Sequence, residues 1–432
     1  MANERAHTLE SADQSNAPYV IVSSDTHAGL PVDGYRDYLD SSVHAEFDEW
    51  VAGRHEHRRV TEEVNGEYIA EWEGENAEGL RGAYDPEVRD KELDADGVAG
   101  EVIFADGDSV TGMESPPFGA GLSAGQITDP KLAFAGARAH NRWLVEFCAT
   151  NPARRAGVAL VPITQGVDES VKEIESLAEK PGIKGIMIPT MWHDNPSYGG
   201  DHYDKVWAAC AEAGLVVHTH SGEADFPSYN ENVVQYVIEV PFWTHRALWQ
   251  LMLSGKFDKF PGLKYSVVEC GSHWIGDLLW KADQMFGSDG KVKKLSSRTK
   301  GLVEKLPSEY FGTSVYIGAS AMAKEELRRR HVNGIDALMW GTDYPHPEGS
   351  WPHTVSRLEN DFREISIEDT RLLLGLNAVE CYDLDMAGLS EIADRIGPTP
   401  EQLNQNPDLR TPPNAVREAR WWLDEYGIEP KG

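Results

Sequence analysis

Four short stretches carry residue types that can hold a divalent cation. They are "SSDTH" with Asp25 and His27, "HTHSG" with His218 and His220, "VVECGSH" with Glu269 and His273, and "GTDYPH" with Asp343 and His346. Imidazole and carboxylate suit a cation of borderline softness, and a catalytic site keeps one coordination position for water or substrate. The pKa of water on such a cation falls to about 7, which makes hydroxide available at neutral pH. A carboxylate across the site can then take and return the proton, a task that fits Asp343. Taken singly, each pair has an ordinary reading: Asp25 and Asp343 can cap turns or helices, and His218 and His220 can be two histidines in a loop. Their weight comes from place, because each pair closes a short apolar run.

Those runs must be the elements that position the chemistry. "YVIVSSDTH", "AGEVIFADG" (99–107), "AGVALVPIT" (156–164), "IKGIMIPT" (183–190), "LVVHTH" (215–220), "LKYSVVECG" (263–271), "SVYIGAS" (314–320) and "DALMWGTD" (336–343) read as eight strands. They are continuous apolar runs, as parallel strands buried on both faces must be. Helical patterns lie between them, for example "VDESVKEIESLAEK" with Val171, Ile174 and Leu177 on one face. Eight βα units predict an α/β protein whose parallel sheet closes as a (β/α)8 TIM-like barrel, with an open doubly wound sheet as the rival. In such a barrel functional groups stand at the C-terminal strand ends, where all four pairs fall.

Residues 1–17 are polar and read as a flexible N-terminus. The barrel spans 18–386, with a long insertion at about 30–95 that shows no clear periodicity and is expected to carry short helices. Residues 387–432 form a C-terminal extension ending in "PPNAVREARWWLDEYG", where Pro413 suits a first helical turn and Trp421 and Trp422 give a helix something to bury against the barrel or a neighbouring subunit.

The chain holds 71 acidic and 40 basic residues, a formal net charge of −31, which repels nucleic acid and anionic lipid. One basic stretch, Lys291 to Lys300, stands out as a solvated loop or a contact for an anionic substrate tail. Cys148, Cys210, Cys270 and Cys381 are widely spaced and form no CxxC pair, so a cytoplasmic protein without a disulfide framework is expected. No apolar run of membrane-spanning length and no secretory h-region is visible. GxSxG, P-loop and GxGxxG motifs are also missing.

The DxH of strand one, the HxHSG of strand five and "WGTDYPHPEGSWP" after strand eight together resemble the amidohydrolase superfamily. The similarity is to the amidohydrolase-related branch of aminocarboxymuconate semialdehyde and resorcylate decarboxylases, and it covers roughly 18–386. It leaves the insertion and the tail unexplained. The resemblance implies one metal held by Asp25, His27, His220 and Asp343. His220 is preferred over His218 because the family's strand-five ligand is commonly followed by a small residue and glycine; His218 would then line the pocket or bond a neighbour. The family's strand-six histidine is missing here, with Glu269 and His273 standing near its place. Lys184 stands where binuclear members carry a lysine that can bridge two metals, though the mononuclear branch also keeps a lysine there without that role.

These readings imply an enzyme with one divalent ion, zinc first and manganese or iron as alternatives. Its partner is a small organic acid, aromatic or apolar, and a homo-oligomer, a dimer foremost, is expected. The expected catalytic groups are Asp343, Glu269 and His273, with His218, His346, Trp192 and Trp274 against substrate. Glu223, His245, Tyr198, Phe226, Tyr229 and Trp243 are further residues near the mouth. The missing histidine and the large insertion favour hydrolysis by metal-activated water with Asp343 as general base. Non-oxidative decarboxylation of an aromatic or unsaturated carboxylic acid is the alternative, and a metal-binding barrel without catalysis is a third.

Overall fold

β1 (Val22–His27) pairs in parallel with β2 (Gly100–Phe104), and the pattern repeats around the sheet. It continues through β3 (Arg155–Leu160), β4 (Ile183–Met187), β5 (Val216–His220), β6 (Tyr265–Val268), β7 (Val315–Ser320) and β8 (Leu338–Gly341), in sequence order. The bridge between Thr26 and Tyr344 brings the last strand end back to the first, so the barrel is nearly closed. His27 N donates to Tyr344 O at 2.7 Å and Asp343 N donates to Asp25 O at 3.0 Å across that seam. The doubly wound alternative is thereby excluded. The computed structural model describes residues 16–106, 115–122, 129–190, 194–222, 232–286 and 302–407, by backbone alone at 55–70 and 233.

The strand period of two sorts side chains into two layers. On β5, Val216 joins the inner cluster with Val102, Phe104, Val158, Leu160, Val268 and Met339. Val217 points the other way, into the larger layer between strands and helices that holds Trp207, Leu248 and Leu251. Fully burying side chains of this kind stabilises by roughly 1.5–3 kcal/mol each, which makes this outer layer the main support of the mouth.

The insertion differs from expectation. Besides short 3-10 turns it contains one long helix, α1 (His44–Leu80), 37 residues in length, followed by α2 (Pro86–Ala95). α1 has almost no apolar face, so periodicity gives no signal; a sequence rich in Glu forms helix by propensity instead. α2 starts where it should: Asp85 accepts from Glu87 N at 3.1 Å and Val88 N at 3.2 Å, with Pro86 in the first turn. α3 (Pro130–Ala149), α4 (Val167–Ala178), α5 (Asp204–Ala213), α6 (Val233–Leu253) and α7 (Ile275–Phe286) cover the outside. Under the barrel, α8 (Met386–Ile396) buries Leu389 and Ala393 in the inner cluster. Tyr19 N bonds Pro398 O at 2.9 Å, and Asn404 donates to Phe362 O and Ile365 O at 3.1 and 2.9 Å. The stretch up to residue 407 therefore packs on the barrel; Pro413, Trp421 and Trp422 lie outside the described residues.

Candidate metal centre

Asp25, His27 and His220 come together at the barrel mouth, each with a ligand atom within 4.8 Å of the others, and all are buried. His27 Nε2 stands 3.6 Å from Asp25 Oδ1 and 3.5 Å from Asp343 Oδ1. Across the mouth, His220 Nε2 is 3.1 Å from the same Asp25 oxygen. Ser320, at the end of β7, hydrogen-bonds the other Asp25 oxygen. Among the described residues neither ring nitrogen of His27 has a hydrogen-bond partner. Buried polar atoms are almost always satisfied, so two unpartnered nitrogens beside two carboxylates fit a place for a cation. The donor set of two imidazoles and two carboxylates fits a divalent ion. His220 Nδ1 lies 2.9 Å from Ser221 O, an arrangement that fixes the ring and leaves Nε2 facing Asp25.

Charge at the site is polarised. Burial works against a charged His220, but Asp25 and Glu269 outweigh it and push it up to about 9 in the protein groups alone. A bound cation takes the place of such a proton, because ligating histidine must be neutral. Glu269, whose side chain keeps 23% exposure, sits 3.4 Å from His220 Nδ1. Desolvation and the neighbouring Asp343 carboxylate raise its carboxyl well above the ordinary range. Asp343 is shifted the opposite way. Desolvation would raise it, yet His346 and His27 hold it well below the usual carboxylate range. His346 Nδ1 is 2.9 Å from Asp343 and its Nε2 is 3.1 Å from Asp106. Despite burial those two carboxylates raise His346 well above its ordinary value. Two carboxylates at one mouth are thus shifted in opposite directions, a difference that acid–base chemistry can use. Both follow strands and adopt left-handed backbone, Glu269 at φ 55° and Asp343 at φ 59°. Residues with a side chain adopt that region at a cost of roughly 1–3 kcal/mol, and such outliers cluster at functional sites.

The remaining sequence-derived residues are distributed unevenly. His346 joins the group. His218, two residues earlier on the same inner face as His220, lies one layer deeper. Its Nδ1 is 3.1 Å from Ile186 O and its Nε2 2.9 Å from the hydroxyl of Tyr382, and burial lowers it to about 3. Gly185 makes room for that ring, since a Cβ there would come within 2.4 Å of His218 Cε1. Lys184 is on the opposite end of β4 and donates to Asp383 O at 2.9 Å, so it is not brought to the mouth. His273 is exposed and belongs to none of the ligand groups found among the described residues. Trp274 stacks on His245 with centroids 4.2 Å apart, and His245 also accepts from Trp249 Nε1 at 2.8 Å. Tyr198 is fully buried and donates to Pro189 O at 2.8 Å. Trp243 packs beside Val240 on α6. Trp192, Glu223, Phe226, Tyr229 and the basic stretch Lys291–Lys300 lie outside the described residues. Asp106 and Ser320 were not singled out from the sequence. Asp106 stands in "FADG" after β2 and Ser320 closes β7, so the strand-end rule used for the histidines would have found both.

Beside His220 a narrow cleft is lined by Ala120, Leu122, Leu160, Met187 and Ile188 among others, which gives the site one apolar wall.

A parallel eight-stranded barrel with histidines and carboxylates gathered at its C-terminal mouth defines a metal-dependent barrel of the amidohydrolase type. The amidohydrolase family model matches residues 104–384, and the chain belongs to that family. Among curated proteins it is 23% identical over 267 residues to gamma-resorcylate decarboxylase of Polaromonas sp. strain JS666, covering 58% of this chain and 79% of the relative. It is 26% identical over 220 residues to 6-methylsalicylic acid decarboxylase of Penicillium expansum, covering 50% and 66%. Among solved structures, dihydroxybenzoic acid decarboxylase from Polaromonas sp. JS666, with bound manganese and the inhibitor 2-nitroresorcinol, superimposes with TM-score 0.59 at 16% identity, over 85% of this chain and 98% of that one. The 5-carboxyvanillate decarboxylase of Sphingomonas paucimobilis gives TM-score 0.59 at 20% identity, over 84% and 99%. At these identities the structural likeness establishes the fold.

Proposed function

We propose that this protein is a metal-dependent, non-oxidative decarboxylase of a small aromatic carboxylic acid. One observation carries the reading: His27, with both ring nitrogens unpartnered, stands between Asp25 and Asp343, and Asp343 is itself bonded to His346. A cation site and a proton store thus adjoin. The named relatives support decarboxylation over the hydrolysis that the residues alone favour.

Asp25, His27 and His220, with Asp343 beside them, are the residues that would hold the ion. When bound, it supplies positive charge that anchors the substrate carboxylate and an adjacent oxygen. Loss of CO2 from an aromatic ring requires a proton at the carbon that bears the carboxylate. The ring π pair takes that proton, the C–C pair returns to the ring, and CO2 leaves. Asp343 Oδ1, 2.9 Å from His346 Nδ1, is placed to relay the proton, and Asp106 holds the far side of His346. Glu269, its carboxyl shifted upward, stands at the mouth within reach of a substrate oxygen. The apolar side chains that line the narrow cleft beside His220 offer the ring a water-poor wall. Manganese is tested beside zinc, since a related solved decarboxylase holds manganese. Incubation of the metal-loaded protein with a panel of hydroxybenzoates should release CO2 and the matching arene. A panel that yields no CO2 removes the reading.

A further inference from the structure

Arg89 is wholly buried on α2, in the insertion for which the barrel pattern offers no purpose. Its charge is met by Glu101, also fully buried: Nη2 is 2.7 Å from Oε2, and Nε reaches the two oxygens at 3.0 and 2.9 Å. The other edge of the guanidinium faces the site. Nη1 donates to the carbonyl of His27 at 2.9 Å and to that of Gly82 at 3.1 Å. The same group lies over the ring of Tyr344, 4.8 Å from its centroid. Tyr344 follows Asp343, and its hydroxyl donates back to Gly79 O at 2.5 Å. Glu101 in turn accepts from the Thr26 hydroxyl at 3.2 Å. One buried side chain therefore ties the end of the insertion to β1, to β2 and to the segment after β8. Three candidate ligands, Asp25, His27 and Asp343, lie on that β1–β8 seam.

We propose that Arg89 is a positioning residue for the metal centre, and that residues 79–89 clamp the seam on which Asp25, His27 and Asp343 are spaced. The inference rests on reading that group as a metal site. A guanidinium suits the task because its planar fork can satisfy Glu101 on one edge and two carbonyls on another while stacking on an aromatic face; an ammonium keeps the charge but not the plane.

The test is the dissociation constant for Mn2+, by chelator competition, in wild type, Arg89→Lys and Arg330→Lys, at a temperature where circular dichroism finds each folded. Groups that orient ligands typically alter metal affinity by about 10–100-fold, and Arg89→Lys should weaken binding by that much. Arg330→Lys disturbs another buried pair, Arg330 with Asp369 at 2.7 Å, which touches none of the site residues, and should bind as wild type does. Wild-type affinity in Arg89→Lys, or an equal loss in Arg330→Lys, overturns the proposal. Should Arg89→Lys fail to fold, Tyr344→Phe decides, since it removes only the hydroxyl bond to Gly79. Several-fold weaker binding supports the clamp and unchanged binding overturns it. A wild-type protein that binds no metal sinks both this proposal and the metal-centre reading. Metal binding without CO2 release sinks only the decarboxylase assignment, and the affinities still judge the clamp.

Discussion

Asp25 and His220 meet across the barrel mouth, Oδ1 to Nε2 at 3.1 Å, although 195 positions separate them in the chain. Only closure of the parallel sheet brings the first strand end to the fifth. The same closure sets His27 between Asp25 and Asp343, so one topological fact creates the whole donor set.

His218 and His220 should therefore separate cleanly on substitution. His220→Ala is expected to lose most of the bound metal. His218→Ala should keep it but melt earlier, by an amount on the order of 2 kcal/mol, because the Tyr382 hydroxyl loses its buried partner. Elemental analysis beside thermal melts checks this, and the opposite order would exchange the two roles.

Asp343→Asn should retain much of the metal, held by Asp25, His27 and His220, while turnover falls by about 10²–10⁴-fold. The amide keeps the shape but cannot relay a proton from His346. Metal content and kcat measured on one preparation decide, and near-normal turnover contradicts the proton role.

Two glycines give a paired test of steric placement. A Cβ at Gly341 would lie 2.8 Å from Asp25 Cβ, whereas one at Gly185 would lie 2.4 Å from His218 Cε1. Both alanine variants should lose roughly 1–3 kcal/mol of stability through overpacking. Gly341→Ala should also lose metal affinity, while Gly185→Ala should not. Equal metal affinities in the two would place Asp25 outside the ligand set.

Asp96 predicts a pH dependence remote from the mouth. Burial pushes its carboxyl up to about 6; Oδ1 accepts from Thr354 N at 2.9 Å, and Oδ2 has no partner among the described residues. The folded chain thus binds this proton more tightly than the unfolded chain, whose Asp titrates near 4. Stability from this group is full below about pH 4, declines as pH rises to about 6, and is constant above. Asp96→Asn should match wild type at pH 4 and exceed it by about 3 kcal/mol at pH 7.5. Urea melts at both pH values test this, and a less stable variant at pH 7.5 refutes it.

Much of this was legible in the chain because buried parallel strands announce themselves as apolar runs. Seven of the eight strands fall within those runs and β3 begins one residue early, at Arg155, and the strand-end rule located Asp25, His27, His220, Asp343 and His346 together. What stayed hidden has physical causes. α1 has no apolar stripe, so a 37-residue helix left no periodic trace. His218 and His220 share a face, and only depth separates them: the Tyr382 hydroxyl that claims His218 comes from a helix 164 residues away. Arg89 reads as an ordinary helical charge until folding sets it against Glu101 and the His27 carbonyl. The residues alone do not decide between hydrolysis and decarboxylation, because both use the same donor set; the relatives favour decarboxylation. A missing strand-six histidine says nothing about which bond breaks.

The most direct measurement is CO2 release from a panel of hydroxybenzoates by manganese-loaded and zinc-loaded protein, run beside His220→Ala. The account predicts CO2 and the corresponding arene in equal amounts from at least one hydroxybenzoate, with neither formed by the variant. Turnover without CO2, or CO2 release that survives loss of the metal in His220→Ala, would contradict it.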